Sequence, residues 1–188
     1  VTVASATNDI SWVNSGEKAI GLGAELEWRK SVVSNETTNL DFGLNISYLF
    51  TNQDLDSQKV TNENPGLGVA FTNKDSRLSG ASDLLINSDL SLNKEFKNDQ
   101  SLTATLSGAY FSDRIYALGV TGKGDLVDSE VIALDFILKY KINKNIGIGI
   151  SAKNLTDPTI ERKQDIQNVV VDSYKKGRNF SLSMKYSF

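Results

Sequence analysis

Glu25 and Glu27 are the first side chains in this sequence that could do chemistry together, because two carboxylates on one face are what glycoside hydrolases use. The residues around them put Leu22, Ala24, Leu26 and Trp28 on the alternate positions, which is the period of a strand. On a strand, Glu25, Glu27 and Arg29 follow one another along one face, so their charges form a ladder with no catalytic apparatus around it. Asp54 and Asp56 resemble the start of a calcium loop, but the glycine and the closing glutamate that such a loop needs are not at the required spacing. The stretch GVTGKGD at 119–125 contains a Gly-Lys pair, yet no Ser or Thr follows the lysine, so it is no phosphate loop.

Composition narrows the chemistry further. The chain has 188 residues without a cysteine or a histidine, which excludes Ser-His-Asp and Cys-His nucleophiles and thiolate metal sites. The residues point to no enzyme, no catalytic residue, no cofactor and no metal. With 20 Lys and Arg against 23 Asp and Glu, the net charge is -3, and no basic run occurs, which argues against nucleic acid as a partner.

The elements that carry these side chains read as strands throughout. Residues 19–28 have one apolar face and one face of glycine and charge. In 40–51, Leu40, Phe42, Leu44, Ile46, Tyr48 and Phe50 alternate with Asp41, Gly43, Asn45 and Ser47. Further strands are expected at 83–96, 101–110, 132–142, 146–152 and 177–188, the last with Phe180, Leu182, Met184, Tyr186 and Phe188 on one parity. Residues 1–6 read as the tail of an earlier strand. Turns at 34–38, 97–100 and 143–145 are short, whereas 52–80, 113–128 and 155–176 read as long polar loops.

Short and long connections therefore alternate, with every short turn at one end of an antiparallel up-and-down meander. Trp28, Phe96, Tyr140, Tyr186 and Phe188 fall toward the short-turn end, and Tyr48, Phe50, Tyr110 and Phe111 toward the long-loop end, with aliphatic side chains between them. Sorted loops and two aromatic bands are features of a transmembrane outer-membrane β-barrel. No stretch approaches the ~18 consecutive apolar residues of a membrane helix, a test to which barrel strands do not respond. In a barrel, Glu25, Glu27, Arg29, Asp41, Asp89 and Asp135 face the lumen. A soluble sandwich or barrel would instead place them outside. The combination of bands, sorted loops and an aromatic end favours the membrane barrel.

Three stretches resemble the carboxy-terminal barrel of TonB-dependent outer-membrane receptors. WVNSGEKAIGLGAELEWRK at 12–30 is similar to a segment of the type N-x-G-x-A followed by G-x-E-x-E, with Asn14, Gly16, Ala19, Gly23, Glu25 and Glu27 in those places and one extra residue between Gly16 and Ala19. KNLTD at 153–157 is similar to the N-L-x-D at the top of the penultimate strand. GRNFSLSMKYSF at 177–188 is similar to a closing G-R-x-F strand that ends in Y-x-F.

The resemblance covers essentially the whole chain. It implies that 1–188 is the carboxy-terminal part of a receptor barrel of about 22 strands, about a third of the wall, with the plug domain absent from it. It also implies a place in the bacterial cell outer membrane and active uptake of a scarce nutrient, a small-molecule or oligomeric ligand such as a siderophore, sugar, peptide or cobalamin. The implied partners are outer-membrane lipid, the barrel-assembly machinery and a TonB-type energy transducer acting through the plug. The machinery would read Phe180, Leu182, Met184, Tyr186 and Phe188 as its signal, and Arg178 would bridge the wall to a plug or a loop.

A second function class is a small self-contained outer-membrane barrel with a structural or adhesion role, in which residues 1–6 count as an eighth strand, since an even number closes such a barrel. In the receptor reading the chain leaves two strand edges, at 10–30 and 177–188. The expectation is then an open curved sheet, or edges paired with a neighbour, and no substrate-sized site enclosed by this chain.

Overall fold

The computed structural model describes residues 2–4, 10–12, 14–66 and 68–188. In chain order these form β1 (Thr2–Ala4), β2 (Ile10–Trp12), β3 (Ala19–Ser34), β4 (Thr38–Asp54), α1 (Ser57–Glu63), β5 (Asp75–Ser76), β6 (Leu84–Glu95) and β7 (Ser101–Phe111). There follow β8 (Arg114–Ala117), β9 (Leu126–Asp128), β10 (Val131–Lys141), β11 (Ile146–Lys153), β12 (Thr159–Gln164), β13 (Val169–Lys175) and β14 (Asn179–Tyr186). The protein is all-β, and every strand pair is antiparallel.

The main sheet is a meander in the order β14-β11-β10-β7-β6-β4-β3, with β5 added beside β4. Its short turns have local causes. Asn35 Oδ1 accepts the N–H groups of Thr37 and Thr38, and Asn143 Oδ1 accepts those of Asn145 and Ile146, so each asparagine side chain closes its own turn. At the third turn, Asn98 and Asp99 both have positive φ, 61° and 58°, a conformation that Asn and Asp tolerate, and the Phe96 N–H donates to Gln100 O across it at 2.9 Å. β3 runs six residues beyond the expected end at Trp28, with a register shift between Ser31 and Val33 that frees Val32 from pairing.

Register sorts the side chains by parity. Phe42, Leu90, Leu106, Phe136, Ala152 and Phe180 stand opposite one another across six strands of the apolar face. On the other face Arg29, Gly43, Asp89, Ser107 and Asp135 form the adjoining row. That same register corrects the expected aromatic bands. Phe136 stands at the middle of β10, and Trp28, six residues short of the end of β3, stands opposite Leu44 and packs edge-on to Phe42 at 5.7 Å. A cluster at the short-turn end does form: Phe96 meets Tyr140 at 6.4 Å and Tyr186 meets Phe188 at 6.3 Å.

The core does not lie on this sheet. Among the described residues the buried apolar side chains are Leu55, Val60, Val69, Ile115 and Ala152, and all but Ala152 belong to the long connections. On the apolar face Leu22 is 64% exposed, Leu182 76% and Met184 73%. The sheet is open: among the described residues β14 pairs only with β11, and β3 only with β4. Of residues 1–6, only Thr2–Ala4 lies within the described part, and it pairs with β2 rather than adding an eighth strand to the meander.

The long connections overturn the expectation of plain loops. The second and third contribute β8, β9, β12 and β13, a four-stranded sheet in the order β13-β12-β9-β8. The first contains α1 and β5. Asp56 caps the helix, its Oδ1 accepting the N–H groups of Gln58 and Lys59.

Candidate functional site

The three long connections are knitted into one crown at the end of the sheet away from the short turns. Val60 on α1 is fully buried against Val69, with Phe71 and Val120 packed on the pair. Phe71 and Val120 form an isolated bridge, Thr72 donates its N–H to Gly119 O at 3.0 Å, and Thr121 donates to Ala70 O at 2.7 Å. The third connection joins the second through β9 and β12 and through Asp165 N–H to Asp125 O at 3.0 Å. Hydrogen bonds satisfy the backbone of segments whose sequence lacks a strong strand period.

Asp125 holds the centre of this crown. It is 4% exposed and accepts the Gly119 N–H at 2.6 Å and the Ser76 hydroxyl at 3.2 Å, tying the first connection to the second. A side chain at Gly119 would meet the carbonyl of Lys123 and the backbone carbon of Gly124 at 2.6 Å, so only glycine lets the turn close on Asp125. The GVTGKGD stretch is thus a folded turn around one carboxylate.

Arginines fasten the crown to the sheet. Arg77 donates to Asp83 at 2.8 Å and to Asp113 at 2.7 Å, gripping the entry to β6 and the exit from β7. Burial pushes its pKa down, and the hydrogen bonds to Asp113 and Asp83 outweigh that and hold it above the ordinary arginine value. Asp128 receives Arg162 at 2.7 Å and Arg114 at 3.4 Å. The hydrogen bond to Asp128 raises the pKa of Arg162, whose guanidinium also lies over the Tyr116 ring at 3.3 Å.

The six charged residues expected on the polar face do share it, though they are not one assembled site. Glu27 accepts Arg29 Nε at 2.6 Å, and Glu25 accepts Asn45 Nδ2 at 2.6 Å. Asp41 accepts the Ser31 hydroxyl at 2.5 Å. The carboxylate of Asp89 occupies the space beside Gly43 where a side chain would stand. Asp135 accepts the Asn154 N–H at 2.8 Å, so it anchors the third connection. No pair of carboxylates here has the environment of a catalytic acid and base. Among the described residues no group of three acidic side chains could hold a metal ion.

Two of the motif stretches meet in space. Asn154 Nδ2 donates to Gly177 O at 2.8 Å, Gly177 N–H to Asp157 Oδ1 at 3.0 Å, and Arg178 Nε to Leu155 O at 2.9 Å. Positive φ at Asn154, Asp157 and Gly177 lets the chain make both corners. KNLTD and the Gly-Arg of the closing strand are thus the two feet of one loop, and the Arg178 bond runs to that loop. In the 12–30 stretch, a side chain at Gly16 would meet the backbone carbon of Asp54 at 2.7 Å, and Ser15 O accepts the Asp56 N–H at 2.7 Å. On β14, Phe180, Leu182, Met184 and Tyr186 stand opposite Ala152, Ile150, Ile148 and Ile146, all on the uncovered face.

An open-sided cavity of about 430 Å3 lies between the upper polar face of β7, β10 and β11 and the β12–β13 hairpin. Phe111, Arg114, Asp128, Lys153, Tyr174 and Lys176 are among the residues that line it. Its volume is in the range of small-ligand sites. Sequence reasoning missed it together with Asp125, Arg77 and Asp128. The available signal was the β-branched run Val169, Val170, Val171 after Gln167 and Asn168, which marks a hairpin inside the supposed loop.

Comparison of the chain with protein-family models, with curated proteins and with solved structures finds no match.

Proposed function

We propose that this chain is a section of the wall of an outer-membrane receptor of the TonB-dependent type, with its crown turned outward to meet a nutrient ligand. The observation that carries the reading is the uncovered apolar face of the main sheet, from Leu22 on β3 to Met184 on β14. Exposed apolar patches on soluble monomers seldom exceed a few hundred Å2, whereas a lipid-facing wall has one face of this kind by design. Such a wall needs its backbone groups paired and its polar side chains turned away from lipid, as in this antiparallel sheet. The juncture of KNLTD with Gly177 and Arg178 supports the resemblance on residues that it names. Uptake, its energy transducer and the assembly machinery belong to the proposal through that resemblance.

The absence of cysteine makes the test direct. Single cysteines at Leu106 and Thr105, neighbours on opposite faces, are labelled with a fluorophore in the chain refolded into phosphatidylcholine vesicles containing quencher-bearing lipids. Strong quenching at 106 and weak quenching at 105 is expected. Equal quenching, or none, overturns the wall. Transport is tested separately in cells carrying the full-length parent protein: ligand accumulation that persists after loss of the energy transducer removes the receptor reading and favours the structural or adhesion barrel.

A further inference from the structure

We propose that the cavity beneath the β12–β13 hairpin binds a small organic anion, a carboxylate or phosphate carried on an aromatic or apolar body. The inference rests on the receptor reading only in taking the crown as the ligand-facing end; the chemistry of the cavity is its own.

Three cations line the space, Arg114, Lys153 and Lys176. Two carboxylates also line it, and both are engaged. Asp128 is shared by Arg162 and Arg114, and Asp135 accepts the Asn154 N–H. Lys153 and Lys176 make no ion pair among the described residues. In a chain of net charge -3, two uncommitted ammonium groups bordering one cavity make a local surplus of positive charge. Both ammonium groups are exposed at the rim of the cavity, so they draw an anion toward it with a strength that salt screens.

The rest of the wall selects the body of the ligand. Phe111, Tyr174, Pro158 and Ile160 give the lining an apolar part. Aromatic walls beside a few polar groups are the usual make-up of a site that orients one end of a small molecule. Arg114 is held only loosely, at 3.4 Å from Asp128, so its planar donors have capacity for a second oxygen acceptor. A metal ion or an amine would meet the wrong sign of charge here.

The test uses four probes that share a ring and differ in charge: benzoate, phenyl phosphate, benzyl alcohol and benzylamine. Each is titrated into the refolded chain in uncharged detergent micelles and followed by saturation-transfer NMR. Benzoate and phenyl phosphate are expected to bind at least about tenfold more tightly than the neutral and cationic probes, and less tightly as salt rises. Lys153→Gln and Lys176→Gln should each weaken the anions by about tenfold, whereas Lys153→Arg and Lys176→Arg retain them. Tighter binding of phenyl phosphate than benzoate assigns the site to phosphates, and the reverse order to carboxylates. Equal binding of benzyl alcohol, binding unchanged in the double Lys→Gln variant, or no binding by either anion overturns the proposal. The probe series on the unaltered chain decides the matter even where a variant fails to fold. A chain that binds benzoate but fails the lipid-quenching experiment sinks the wall and leaves the cavity; one that is quenched as a wall but shows no anion preference does the opposite.

Discussion

The carboxylate of Asp125 receives the N–H of Gly119 at 2.6 Å from a position that is closed to water on nearly every side. This one bond folds the glycine-rich turn back on itself, and the second carboxylate oxygen reaches Ser76 in the first connection. Replacing Asp125 by Ala leaves both donors without a partner. The expected cost is about 1 to 3 kcal/mol per unmet buried group, and it should fall on the crown. Hydrogen exchange in detergent should then speed up at the crown amides of Thr72, Thr121 and Asp165 while β6 and β7 keep their protection. Unchanged exchange in the crown would show that the turn holds without its carboxylate.

Gly119→Ala is a sharper probe of the same turn. Its new methyl group meets backbone atoms of Lys123 and Gly124, which cannot swing aside as a side-chain tip can. Overpacking of this sort costs about 1 to 3 kcal/mol. Protease cleavage within 119–125 should appear in the variant and not in the parent. By contrast Gly21→Ala, where nothing lies within 4 Å, should leave the cleavage pattern as it is.

The two faces of β7 should respond oppositely to charge. Leu106→Arg is expected to cost about 2 to 4 kcal/mol in the folding equilibrium in vesicles if this row lies near the bilayer midplane. Thr105→Arg, one residue away on the polar face beside Ser91, should cost far less. Equal costs for the two would remove the distinction between a lipid face and a polar face.

Lys59 gives a prediction in pH. Its hydrogen bond to Glu17, 2.7 Å long, raises its pKa above the ordinary lysine value. A raised lysine contributes stability that is whole below its unfolded-state pKa and is lost as pH rises through the folded one. Deprotonation of Lys59 should therefore leave the contact intact near neutrality and remove it in strong alkali. Carbon NMR of the lysine side chain should show a higher titration midpoint in the parent than in Glu17→Gln, and coincident midpoints would mean that the pair does not form in solution.

Phe188 tests the closing strand. Its exposed ring lies 6.3 Å from that of Tyr186, while Ser187 is held by Asn145 through its N–H and its carbonyl, so the strand stays anchored without the last ring. Deleting Phe188 from the full-length parent should lower the amount assembled in cells far more than it lowers stability after refolding. Equal assembly would leave the residue a packing role alone.

The sequence by itself determined the main sheet. Alternation such as that of Leu40, Phe42, Leu44 and Ile46 is a direct expression of strand geometry, and Asn35, Asn143 and the Asn98-Asp99 pair carry their turns in their own side chains or backbone preference. Parity then assigned Asp41, Asp89 and Asp135 to one face without any tertiary information. Tertiary structure alone decided the crown. β8, β9, β12 and β13 are short, and Arg162 of β12 pairs with Asp128 of β9, 34 residues away. Partners so distant are chosen by packing, which local periodicity does not record. It also decided that Trp28 stands beside Leu44 and Phe42 within its strand and not at the strand's end, because the height of a residue on a sheet follows from the register of its strand. The environments of Asp125, Lys153 and Lys176 arise in the same way, since whether a charge is buried, paired or free depends on which distant segments close around it.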